Sequence, residues 1–99
     1  MAPDELQLIQ NALGGDRGSF AALVRQYQNR IFGFIMRMTA NRDTALDLTQ
    51  ETFLAAYQYL SGFRGDSSFS TWLFQIAANK TKTLLRKSRR KMLSYTDSV

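Results

Sequence analysis

The stretch "FAALVRQYQNRIFGFIMRM", residues 20–38, limits the fold more than any other part of this 99-residue chain. Phe20, Leu23, Val24, Tyr27, Ile31, Phe34, Ile35 and Met38 recur at intervals of three and four, the spacing of one face of an α-helix kept for about five turns. A β-strand would need alternation, and none is present. Each of these side chains, fully buried, contributes about 1.5–3 kcal/mol, so the helix has to lie at the centre of whatever forms around it. Phe32, Gly33 and Met36 fall off the stripe, which implies that a second face touches another helix or a partner.

The rest of the chain breaks into three more helical segments, because the single proline lies at position 3 and the glycines come mostly in short clusters. The first segment starts at Asp4 as N-cap, uses Leu6, Ile9 and Leu13, and ends at Gly14-Gly15. The second, the core helix, is expected to begin after Ser19. The third runs from Asp43, read as its N-cap, to Leu60; it buries Leu46, Phe53, Tyr57 and Leu60, with Ala45, Thr49 and Ala56 at the margins. A fourth begins near Ser68 or Ser70, turns Phe69, Trp72, Leu73, Ile76, Ala77 and Leu84 inward, and runs out into "LLRKSRRK". Residues 92–99 carry no periodicity and read as a frayed tail. The expected architecture is all-α: a compact bundle of about four helices in one domain, residues 1–91, since a chain of this length supports a single core.

Composition excludes several classes of function. With no cysteine and no histidine, the chain lacks thiolate chemistry, the commonest general base and the commonest metal ligand. Its eight acidic residues are scattered, so neither a catalytic residue nor a metal or cofactor is expected. The N-terminal "MAPDELQLIQ" has no long apolar run; no membrane insertion is expected, and the chain reads as cytoplasmic.

Charge, by contrast, is informative. The net +5 conceals six basic and seven acidic residues up to position 79, against seven basic and one acidic from Lys80 onward. Such a run fits a polyanion partner, and it equally fits a solvated helix end, which cations also favour.

Two surfaces follow from spacing. If Leu46, Phe53 and Tyr57 face inward, Asp47, Gln50, Glu51 and Leu54 share an outer strip of the third helix, acidic and amide-bearing with an apolar end. This is either a docking surface for a basic partner helix or an ordinary solvated face. Ahead of the fourth helix, "FRGDSSF" (63–69) sets a glycine turn among aromatic rings and hydroxyls, a combination able to receive an unstacked base and equally able to plug a helix junction and cap a helix.

"DLTQETFLAAY" (47–57) followed by "FRGDSSFSTWLFQIAANK" (63–80) resembles region 2 of bacterial sigma factors of the extracytoplasmic-function (ECF) type, over nearly all of residues 5–91. The resemblance implies a non-enzymatic domain with two tasks. Asp47, Gln50, Glu51 and Leu54 would contact a coiled coil of the β′ subunit of core RNA polymerase, with Phe53 anchoring that helix from inside. Phe63, Arg64, Gly65, Asp66, Ser67, Ser68 and Phe69 would form the loop that takes a flipped base of the single-stranded minus-ten promoter element; Asn79 would contact a base edge, and Lys80, Lys82 and Arg86 would follow the phosphates. Thr83 departs from the aspartate that many relatives carry there. An anti-sigma partner is implied, as is a second, promoter-reading domain for which these residues leave no room. Outside the resemblance, a helical protein-interaction module and a generic basic binder of polyanions or membrane surfaces remain the rival readings.

Overall fold

A computed structural model describes the backbone of residues 4–97 and the side chains of residues 4–91. Four α-helices follow one another: α1 (Glu5–Leu13), α2 (Arg17–Thr39), α3 (Arg42–Tyr59) and α4 (Phe69–Asp97), with one 3₁₀ turn, Leu60–Gly62, after α3. α2 packs on the other three helices, and α3 also packs on α4. The expected all-α bundle is what forms. The segment 92–99, expected as a tail, lies beyond the described side chains; its backbone is helical to Asp97.

Ile31 and Ile35 of α2 are fully buried, and Phe20, Leu23 and Tyr27 nearly so, as the three-and-four spacing requires. Phe32 and Met36, off the stripe, pack partly buried against the same core, so the second face of α2 is used within the domain. The Arg42 guanidinium sits 5.8 Å over the Phe32 ring.

Helix starts differ from expectation at two places. α2 begins two residues before Ser19 because Asp16 caps it: Oδ1 accepts from the Gly18 and Ser19 amides at 3.0 and 3.4 Å, and Oδ2 from the Ser19 hydroxyl at 2.8 Å. Those bonds hold the Asp16 carboxyl below its ordinary pKa, the Ser19 hydroxyl contributing most. α3 is capped by Asn41, whose Oδ1 accepts from the Thr44 amide at 3.0 Å; Asp43 stands in the first turn, where a carboxylate favours the helix dipole. Only Ala40 and Asn41 separate the two long helices, and Ala40 closes α2 in the left-handed region at φ 51°.

The inner faces of α1 and α3 are corrected as well. In α1, Leu8 and Ile9 are buried while Leu6 and Leu13 are exposed. In α3 the buried face is Ala45, Leu48, Thr52, Phe53, Ala55 and Ala56; Leu46 and Tyr57 lie on its flank, 42% and 48% exposed. Small side chains let neighbouring helices approach, and approach rather than side-chain size decides which face turns inward. The hydroxyls of Thr52 and of Thr81 in α4 are satisfied by carbonyls four residues back, Leu48 O at 2.7 Å and Ala77 O at 2.8 Å, which makes two polar residues acceptable in the core.

α1 is fastened by one polar clamp. The Tyr27 hydroxyl donates to the Glu5 carboxylate, and the Arg30 guanidinium covers the Tyr27 ring at 4.6 Å. Burial first, then the bond to Glu5, raises the Tyr27 pKa, so the phenol stays protonated.

Candidate functional site

Because α3 buries Ala45, Leu48, Thr52 and Ala56, the residues on the far side of the helix must face outward, and Asp47, Gln50, Glu51 and Leu54 are all exposed. Leu54 is 70% exposed, the most open of the large apolar side chains among the described residues. The strip is thus the surface the spacing implied, even though two of the residues assigned to the opposite face were misplaced.

α4 lies beside it. Leu73, Ala77 and Thr81 are buried, and Leu84 is partly so. Between the two helices runs an open groove of ≈ 860 Å³. Asp47, Gln50, Glu51, Leu54 and Tyr59 line it from α3, and Asn79, Lys80, Thr83 and Lys87 from α4, over apolar Leu48, Ile76 and Leu84. Lys82 and Arg86 are exposed but do not line the groove. At 100° per residue, Lys82 stands about 200° round the helix from Lys80. The basic run that reads as one track in the sequence is therefore divided between two faces of α4. Tyr59, Thr83 and Lys87 belong to the groove, a placement the sequence reading does not give them; the spacing of three and four from Lys80 through Thr83 to Lys87 is the available signal.

The connection from α3 to α4 gathers three rings. Phe63 lies 5.8 Å from Phe69 and 5.3 Å from Trp72, Phe69 lies 5.7 Å from Trp72, and Tyr27 closes the cluster at 5.7 Å from Phe69. Phe69 is buried, so its ring is a wall of the loop and not a stacking surface; Phe63 and Trp72 are half-buried. Arg64, Gly65, Asp66, Ser67 and Ser68 are all exposed. Gly65 takes φ 79°, a conformation that glycine adopts without penalty. Ser68 caps α4: its Oγ accepts from the Thr71 amide at 3.1 Å and donates to the Thr71 hydroxyl at 2.9 Å. Its hydroxyl is thus already engaged, whereas Arg64, Gly65, Asp66 and Ser67 form the open part of the loop, with the half-buried Phe63 ring at its edge.

Among the described residues no cluster of three or more aspartates or glutamates is arranged to hold a metal ion, and no helix is long and apolar enough to cross a membrane.

The chain belongs to the sigma-factor family: the family model described as Sigma-70 region 2 matches residues 23–91. The chain is 44% identical over 85 residues to the RNA polymerase sigma-H factor of Pseudomonas aeruginosa, covering 85% of this chain and 44% of that protein. It is 38% identical over 93 residues to the ECF RNA polymerase sigma-E factor of Escherichia coli K12, covering 93% of this chain and 48% of that one. The chain thus spans about half the length of these relatives. Among solved structures, an engineered region 2 of sigmaE in complex with GTAAAA, determined by NMR, superposes with a TM-score of 0.82 at 32% identity, covering 92% of this chain and 97% of the other.

Proposed function

We propose that this chain docks on core RNA polymerase and holds the melted minus-ten element of a promoter, as region 2 of an ECF sigma factor acting in the cytoplasm. It works by binding energy and not by catalysis. The observation that carries this reading is the likeness of nearly the whole domain to a region 2 of sigmaE that binds the nucleotide sequence GTAAAA. Two features of the chain itself support it. The strip of Asp47, Gln50, Glu51 and Leu54 offers carboxylates to basic donors of the β′ coiled coil, with an apolar contact at its end. The Phe63–Ser68 turn offers a half-exposed ring for one extruded base, next to the guanidinium of Arg64 and the carboxylate of Asp66. Asn79 stands at the edge of α4 for a base contact, and the outward cations Lys82 and Arg86 can follow phosphates. An anti-sigma protein would silence the domain by occupying the α3 strip.

The test has two arms on the 99-residue chain. Asp47→Arg with Glu51→Arg should abolish binding to the isolated β′ coiled coil at unchanged helix content by circular dichroism. Titration with fluorescent single-stranded oligonucleotides should show preference for minus-ten sequences and a log–log salt slope of about −0.7 per neutralised phosphate. Equal affinity for every oligonucleotide and for anionic liposomes would reduce the chain to a generic basic surface.

A further inference from the structure

The groove between α3 and α4 has walls of opposite charge. Asp47 and Glu51, one turn apart, stand on the α3 side; Lys80 and Lys87, two turns apart, stand on the α4 side, and all four are exposed. Its floor is apolar, formed in part by Ile76 and Leu84. Single-stranded nucleic acid is a poor occupant for such a site, because its phosphates would lie against the two carboxylates as well as the two lysines. A second helix, about 10 Å across, suits it better if it carries cations along one edge, carboxylates along the other and apolar residues between them.

We propose that Lys80 and Lys87 are protein-docking residues: the groove takes one helix of the β′ coiled coil whose basic edge meets Asp47 and Glu51 and whose acidic edge meets the two lysines. The proposal rests on the docking reading above and extends it from one wall to two. It also divides the basic run by function. Lys80 and Lys87 serve the protein partner, while Lys82 and Arg86, turned away from the groove, are left for the phosphates; Asn79, which lines the groove at a helical phase between Thr83 and Lys82, meets a base only from the outer rim of the groove. One helix can then hold polymerase on one side and promoter on the other at the same time. Charge complementarity on two edges also fixes the direction in which the partner helix lies, because a reversed or rotated helix would set like charges together.

The test measures binding of the isolated β′ coiled coil to three paired variants, each checked for unchanged helix content. Lys80→Glu with Lys87→Glu should weaken binding at least tenfold, since like charges then face the partner's acidic edge. Lys82→Glu with Arg86→Glu should change it less than twofold. Asp47→Arg with Glu51→Arg tests the underlying reading. If that pair abolishes binding and the Lys80/Lys87 pair does not weaken it, the second wall is disproved and the one-walled reading stands; if neither pair matters, both fall. In parallel, Lys80→Ala with Lys87→Ala should leave the salt slope of minus-ten oligonucleotide binding unchanged. A slope shallower by about 1.4, the share of two single-strand phosphates, would place the lysines on nucleic acid and overturn the proposal.

Discussion

The α3 strip and the turn between Gly62 and Phe69 are both exposed and polar, yet they are held in place by opposite means. The strip rides on a continuous helix whose other face is locked by Ala45, Leu48, Thr52, Phe53 and Ala56, so its side chains start from a fixed frame. The turn has a backbone bond at each end, Phe63 N–H to Leu60 O at 3.0 Å and Trp72 N–H to Ser68 O at 3.1 Å, with five exposed residues between them. Its shape depends on the rings packed beneath it. A preformed strip suits a rigid partner helix, whereas an adaptable turn suits a nucleotide that has to be accepted after it leaves its stack.

The largest effect should come from removing the support under the turn. Phe69 is 3% exposed and touches Tyr27, Phe63 and Trp72, so Phe69→Ala should cost about 3–5 kcal/mol of stability, seen as a large drop in the thermal midpoint. If the midpoint scarcely moves and only oligonucleotide binding is lost, Phe69 is a contact residue and the division between wall and surface is wrong. Phe63→Ala should do the reverse. Its ring is half-buried, so stability should change less, while affinity for a minus-ten single strand should fall by about 1–3 kcal/mol, the worth of one stacked base.

Period alone places α2, because five turns of unbroken spacing leave one face to bury. It also exposes Asp47, Gln50, Glu51 and Leu54, since four residues at one helical phase move together. Leu46 and Tyr57 were misassigned because their size suggests burial, whereas the buried face follows from how closely α2 and α4 approach through Ala45, Thr52 and Ala56. Asp16 starts α2 ahead of Ser19, and Asn41 takes the cap of α3 in place of Asp43, through hydrogen bonds that several nearby polar residues could have made. The burial of Phe69 and the shared groove are tertiary facts. Nothing in a helix's own spacing says that Lys80 will face another helix and Lys82 will not.

If the strip is preformed, relieving backbone strain in the frame that carries it should raise stability without changing docking. Ala40 is the place to try, since it is the sole non-glycine residue with positive φ among the described residues and it joins α2 to α3. Ala40→Gly removes the left-handed strain at the expense of some unfolded-state entropy, and a net gain of about 0.5–1 kcal/mol is expected by denaturant titration. Affinity for the coiled coil should remain within twofold. A tightening of that affinity would mean that the strip is ordered only on binding and is closer in kind to the turn.

The smallest effect concerns pH, at a helix cap that contributes no residue to either surface. Asp16 caps α2 through bonds that lower its pKa, so the folded state favours the carboxylate. For a group with a depressed folded value, the stabilisation is complete above the ordinary aspartate range and disappears as the pH falls through the lowered value. Asp16→Asn keeps an accepting oxygen at the cap but does not titrate. Subtracting the two stability curves should leave a difference that is flat at neutral pH and narrows in favour of the variant as the solution becomes acidic, measured by urea unfolding across that range. Oligonucleotide and coiled-coil affinities at neutral pH should be the same for both proteins, because the cap holds the start of α2 and neither binding surface is built on it. A neutral-pH loss of either affinity in Asp16→Asn would show that the start of α2 positions that surface, and that the contrast between fixed strip and adaptable turn extends further into the core than their own residues.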